Sequence, residues 1–228
     1  MTDTTGNTSN GNIAVLISGT GSNLQAFIDA VASGQLQAKI SLVISNNPGV
    51  AGLQRAADAG IETLCIDHRD YEHRETFDAA LTNALQEHDI DLVILAGFMR
   101  ILTAVFIEPY LGRLLNIHPS LLPKYPGLHT HQRALNAGDD EAGVTVHFVT
   151  AELDSGPPVM QARVAISNDD TPGTLAAKVH VVEHKTYPLV AQWFMQGRLR
   201  LTNEGASLDG EALPECGVQY PQEVSPTL

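Results

Sequence analysis

The first half of the chain alternates short apolar runs with amphipathic stretches, and this restricts the fold more than any other feature. Asn12–Ile17, Ile40–Ile44, Ile61–Ile66, Leu92–Leu95 and Leu114–Ile117 are short apolar runs of strand length. Between them, Leu24, Phe27, Ile28 and Val31 recur at helical spacing before Gly34. Ala51–Ala59 reads as a helix stopped by Gly60, and Glu72–Gln86 carries Phe77, Leu81 and Leu85 on one face. Continuous apolar strands that alternate with amphipathic helices predict a parallel sheet covered on both faces. With right-handed crossovers this is an α/β, Rossmann-like, doubly wound and mostly parallel sheet.

The second half changes character. Leu121–Gly127 contains two prolines and predicts a stiff loop, followed by a short helix over His131–Ala137. Val144–Val149 and Val159–Val164 predict two strands joined as a hairpin. A long helix is expected from Thr171-Pro172, where proline suits the first helical position, to about Gln196, kinked at Pro188. The expected organisation is a flexible tail over residues 1–11 and one domain over 12–201, with halves 12–118 and 119–201. An extension over 202–228 completes it, loosely ordered from Ser207 on because of its Gly, Pro and Glu content.

The 228-residue chain is 43% hydrophobic and 17% charged, which reads as globular. Its formal net charge of −13 makes it a poor general binder of nucleic acid or of an anionic membrane surface. An anionic substrate then needs a local positive site, such as a helix N-terminus. Two cysteines, Cys65 and Cys216, are too few for a disulfide framework, and no run of 18 apolar residues occurs. The expectation is a cytoplasmic protein with reduced thiols, Cys65 lying in the core.

Ser18-Gly19-Thr20-Gly21-Ser22-Asn23 lies between the first predicted strand and the first helix. Such a loop aims backbone N–H groups and the helix dipole at an anion. A dinucleotide is disfavoured: Leu24 replaces the third glycine of the fingerprint, and Ser45-Asn46-Asn47 offers no carboxylate for a ribose. No GxxxxGK[ST] loop is present, so one phosphate monoester fits better. The glycines are equally compatible with a tight turn that binds nothing.

Asn116-Ile117-His118 ends the fifth predicted strand, and strand alternation puts Asn116 and His118 on one side. In open α/β sheets, ligands bind beyond those ends. An asparagine amide can donate to a developing oxyanion, and histidine is the side chain best able to exchange protons near neutral pH. A carboxylate that holds the imidazole completes such a set, and Asp154 is the candidate. By themselves a strand-end histidine and a turn aspartate also suit purely structural roles. His129, His131 and His147 lack a cysteine or carboxylate at ligand spacing, so no metal is expected. Ser22 and Ser120 are not in GxSxG, which disfavours a serine hydrolase.

Four segments go beyond generic chemistry: Val15–Asn23, Leu95–Leu102, Leu115–Thr130 and Val146–Gly156. Together they resemble the phosphoribosylglycinamide formyltransferase family, folate-dependent enzymes of purine synthesis, over roughly Asn12 to Leu201. The resemblance implies glycinamide ribonucleotide and 10-formyltetrahydrofolate as substrates, with no metal. It places the phosphate on the backbone of Gly21, Ser22 and Asn23 and the ribose hydroxyls on Glu183. His180 would stand near the phosphate. Arg74, Met99, Arg100, Ile101, Leu102, Val149 and Thr150 would line the folate site, Arg74 reaching the glutamate tail. Asn116, His118 and Asp154 would be catalytic, in a monomer or homodimer that needs no nucleic acid or membrane. Formyltetrahydrofolate deformylases use a similar Asn-x-His…Asp set, and the phosphate loop favours transfer over that hydrolysis. Methionyl-tRNA formylation would need a basic surface, against the −13 charge. A non-catalytic nucleotide-binding module would have no use for the polar cluster.

Overall fold

The computed structural model describes residues 11–221. In chain order, β1 (Gly11–Ile17), α1 (Ser22–Ala32), β2 (Ala38–Ser45), α2 (Ala51–Asp58), β3 (Glu62–Cys65), α3 (Arg74–Gln86), β4 (Leu92–Leu95), α4 (Ala104–Ile107) and β5 (Leu114–His118) form the first half. There follow α5 (Thr130–Ala137), β6 (Glu141–Phe148), β7 (Pro158–Ala165), α6 (Pro172–Met195) and four short strands, β8 (Leu199–Thr202), β9 (Gly205–Leu208), β10 (Glu211–Ala212) and β11 (Val218–Gln219).

The main sheet has the order β11-β7-β6-β5-β4-β1-β2-β3. β3, β2, β1, β4 and β5 are parallel, and β6 and β7 return antiparallel as the expected hairpin. The order reverses between β1 and β4, so a crevice opens there at the strands' C-terminal ends. The strands are apolar on both sides because each face has its own core. Ile13, Val15, Ile17 and Ile94 pack toward Phe27, Val179 and Tyr187 on one face. Ala14, Leu16, Val93 and Leu95 pack toward Phe77, Leu81 and Phe106 on the other.

Helix α6 begins where its sequence predicts. Thr171 and Thr174 form a reciprocal capping box, Pro172 fills the first turn, and the helix runs without interruption through Pro188. The fully buried Tyr187 turns its hydroxyl to the carbonyls of Leu115 (2.8 Å) and Leu95 (3.1 Å), locking α6 over the ends of β5 and β4.

Three expectations need correction. Cys65 is exposed rather than buried, as is every residue of β3. β3 is the edge strand of the sheet and pairs only with β2, so one side of it lies open to solvent. The stretch after Ser207 is not loose within the described residues. β8, β9 and β10 make a small antiparallel sheet, and β11 adds to β7 of the main sheet. The signal was Asp209-Gly210: both have positive φ (55° and 87°), as the two-residue hairpin between β9 and β10 requires. The short helix α4 was not foreseen, its four residues being too few for a helical period. Of the expected tail, Gly11 already belongs to β1, and residues 1–10 and 222–228 lie outside the described ones.

Asp78 on α3 is a buried carboxylate, and its Oδ2 accepts the N–H of Thr103 at 2.5 Å. Burial pushes its pKa up, against the lowering effect of that hydrogen bond and of Arg74. A carboxyl whose pKa is raised on folding stabilises the fold at low pH and loses that contribution as pH rises past the unfolded value. Asp78→Asn keeps an oxygen for Thr103 and removes the charge. Its unfolding temperature relative to the parent chain is therefore expected to rise between pH 4 and pH 7. Calorimetry at the two pH values checks this, and a constant difference would contradict it.

Candidate active site

The loop after β1 closes on the N-terminus of α1. Gly21 takes a left-handed conformation (φ 72°, ψ 35°), and no side chain caps the helix. The first-turn N–H groups are thus not occupied by a capping side chain. The glycine has a second cause: a Cβ on Gly21 would stand 2.8 Å from Gly52 Cα, where α2 abuts the loop. Gly21→Ala therefore combines a left-handed penalty with a backbone clash, and should cost about 1–3 kcal/mol. Thermal unfolding measures it; an unchanged midpoint would refute the steric account. Arg55, which the sequence reading passed over, donates from Nε to the Thr20 carbonyl at 2.9 Å and sets a positive charge beside the loop.

Across the loop stands α6. Asn23 donates through Nδ2 to Glu183 Oε2 at 3.0 Å, both side chains being buried. Asn23 Oδ1 is buried without a partner. His180 is half exposed, with Nε2 4.0 Å from Glu183 Oε2, and its ring lies parallel to that of His184, 6.2 Å away. The phosphate-loop residues and the α6 pair expected to share one ligand are thus neighbours.

Asn116 and His118 project from one side of β5, and Asp154 reaches them from the turn between β6 and β7. Asp154 Oδ2 lies 3.4 Å from His118 Nδ1, and both side chains are buried. The same oxygen accepts the Gly127 N–H at 2.9 Å. His118 Nε2 lies 2.9 Å from the Tyr125 carbonyl. That carbonyl can only accept, so Nε2 carries a hydrogen. Nδ1 then faces a carboxylate oxygen, and the contact is favourable only with one proton held between the two groups. Asp154 (φ 51°) and Tyr125 (φ 57°) both occupy the left-handed region, a conformation residues adopt when their surroundings dictate it.

His147 is the residue whose role the sequence reading missed. It stands opposite Asn116 in the β5–β6 register and is buried. Its Nδ1 faces the Phe148 carbonyl at 2.9 Å, so the hydrogen sits there and Nε2 is free to accept. Burial holds its pKa down and the ring neutral. Asn116 Nδ2 donates to that Nε2 at 3.1 Å. The bond fixes the amide and leaves its second N–H for another acceptor. A histidine inside the apolar run Val144–Phe148 was the available clue.

Burial lowers the pKa of His131, and the charges of His180 and His118 lower it further. The loop after β4 carries residues expected to line the folate site. Met99 (68% exposed) and Ile101 (55%) present apolar surface to solvent, whereas Leu102 packs inside the core. Val149 and Thr150 are half-buried at the end of β6, and Arg74 opens α3. Among the described residues no group of three or more His, Cys, Asp or Glu is placed to hold a metal ion. No helix of the described residues is long and apolar enough to cross a membrane.

Comparison with known proteins decides the family, since residues 11–191 match the sequence profile described as formyl transferase. The chain belongs to the formyl transferase family. This formyl transferase is 50% identical over 206 residues to the phosphoribosylglycinamide formyltransferase of Escherichia coli (strain K12), covering 90% of this chain and 97% of the relative. It is 46% identical over 193 residues to the human trifunctional purine biosynthetic protein adenosine-3, covering 85% of this chain and 19% of that longer protein. Among solved structures, the phosphoribosylglycinamide formyltransferase of Coxiella burnetii superposes with a TM-score of 0.90 at 48% identity. That match covers 93% of this formyl transferase and all of the Coxiella chain. The α/β fold with its mostly parallel sheet is therefore shared with enzymes of that name.

Proposed function

We propose that the chain transfers the formyl group of 10-formyltetrahydrofolate to the amine of glycinamide ribonucleotide, in purine biosynthesis. The observation that carries this reading is an oriented amide and a buried histidine–aspartate pair at the end of β5, in the same sheet whose β1 leads into a helix N-terminus with no side-chain cap. Relatives named phosphoribosylglycinamide formyltransferase, matched over 97% of their length, support it. The ribonucleotide phosphate rests on the N–H groups of Gly21, Ser22 and Asn23, within reach of His180, and Glu183 takes the ribose hydroxyls. The folate lies along the Met99–Leu102 loop and the Val149–Asp154 turn, with Arg74 toward its glutamate.

The amine attacks the formyl carbon directly. The free N–H of Asn116 and the imidazole of His118 face the oxygen that becomes negative. Because both nitrogens of His118 are engaged, the substrate oxygen displaces the Tyr125 carbonyl from Nε2. The C–N10 bond then breaks; N10 gains a proton and the former amine loses one, with Asp154 as the relay, through water. No covalent enzyme intermediate is required. The enzyme works as a monomer or homodimer in the cytoplasm, without nucleic acid or membrane.

The decisive experiment mixes the purified chain with 10-formyltetrahydrofolate, with and without glycinamide ribonucleotide, and follows tetrahydrofolate. Release that depends on the ribonucleotide is expected. Release without it would make the chain a hydrolase.

A further inference from the structure

We infer that the Ser18 hydroxyl sets the register between the loop that holds one substrate and the loop that holds the other. The inference rests on the formyl-transfer reading above. Ser18 follows β1 and opens the glycine loop; Met99 stands in the loop after β4. These two loops flank the point where the strand order reverses. The Met99 N–H donates to Ser18 Oγ at 2.7 Å. The hydroxyl hydrogen goes the other way, to Oδ1 of the buried Asn46 at 2.5 Å. Asn47 Nδ2 donates to the Ser18 carbonyl at 2.9 Å. Neither partner of the hydroxyl can exchange roles: a backbone N–H only donates and an amide oxygen only accepts. Ser18 is therefore oriented from β2 and presents a fixed acceptor to the β4 loop.

Elsewhere that loop is held by packing: Phe98 and Leu102 are buried in the core, with Phe98 stacked on Phe77. Its far end is anchored by Asp78 at Thr103. Between the anchors, the side chains of Met99 and Ile101 are largely in solvent and add little packing. Between these packed residues, the Met99 main chain is set against the glycine loop by the Ser18 hydroxyl. Direct attack needs the amine and the formyl carbon about 3–3.5 Å apart, and a misplacement of about 1 Å can cost 10²-fold in rate. An error in register enters that distance directly. Ser18 is a positioning residue that acts through Met99 without touching either substrate.

The test uses the full chain and three readouts: kcat with both substrates saturating, the Kd of glycinamide ribonucleotide alone, and the unfolding temperature. In Ser18→Ala, kcat is expected to fall about 10- to 100-fold, with the ribonucleotide Kd within about twofold. Ser18→Thr keeps the hydroxyl and restores most of kcat. A merely structural role would lower the unfolding temperature and leave saturating kcat in place. If Ser18→Ala does not fold, Asn46→Ala frees the hydroxyl from its orienting acceptor and should give the same fall. A folded Ser18→Ala (or Asn46→Ala in its place) with kcat within twofold of the parent overturns the inference, as does a Ser18→Thr chain as slow as Ser18→Ala. A parent chain without ribonucleotide-dependent release overturns the formyl-transfer reading itself, and this role with it.

Discussion

Asn116→Ala should lower kcat for formyl transfer by about 10²–10³, the usual cost of one oxyanion donor, with ribonucleotide Kd within about twofold. Two effects separate this residue from its neighbours. The amide N–H not used by His147 is the only part of Asn116 assigned to the reaction, so the loss falls on kcat. The same change strips His147 Nε2 of its donor in a buried site. An unsatisfied buried acceptor costs about 1–3 kcal/mol, so the unfolding temperature should drop as well. Steady-state kinetics beside thermal unfolding read both. Near-normal turnover in a destabilised chain would make Asn116 a structural residue and leave the oxyanion without its amide.

Asp154→Asn should be as damaging to turnover, by at least about 10²-fold, while the fold survives. The reason lies in Gly127. Its N–H donates to Asp154 Oδ2, so the oxygen of an asparagine is drawn to that place and the amide nitrogen turned away. His118 Nδ1 keeps an acceptor, and the left-handed φ of 51° suits asparagine as well as aspartate. What disappears is the negative charge that lets a proton rest between imidazole and carboxylate. Steady-state kinetics beside thermal unfolding measure the two, turnover and fold. Full activity would remove Asp154 from the proton path.

Much of this was legible in the chain itself, for physical reasons. Residues of the parallel strands must be apolar on both sides, so Val15–Ile17 and Leu92–Leu95 announce themselves without any partner. Thr171-Pro172 states a helix start because capping is local. Asn116 and His118 were readable as a pair because a strand alternates faces. The misses share the opposite property. Cys65 was placed in the core because local pattern cannot tell an edge strand from a central one. His147 gained its significance only from register, which joins it to Asn116 across two strands. Arg55 and Ser18 act through main-chain atoms of loops distant in sequence. The hairpin at Asp209-Gly210 is different: its signal was local and was outweighed by the Gly, Pro and Glu content around it.

The hydrogen bond between Asn23 and Glu183 spans 160 residues. The pocket expected for the ribonucleotide is therefore not the property of either half of the chain. A nascent polypeptide can complete the glycine loop and the five parallel strands and still lack the carboxylate that α6 brings. Under the proposed binding mode, ligand capture then waits for the final long helix to dock, and a molecule cut before Glu183 keeps the glycine loop but lacks the carboxylate meant to hold the ribose.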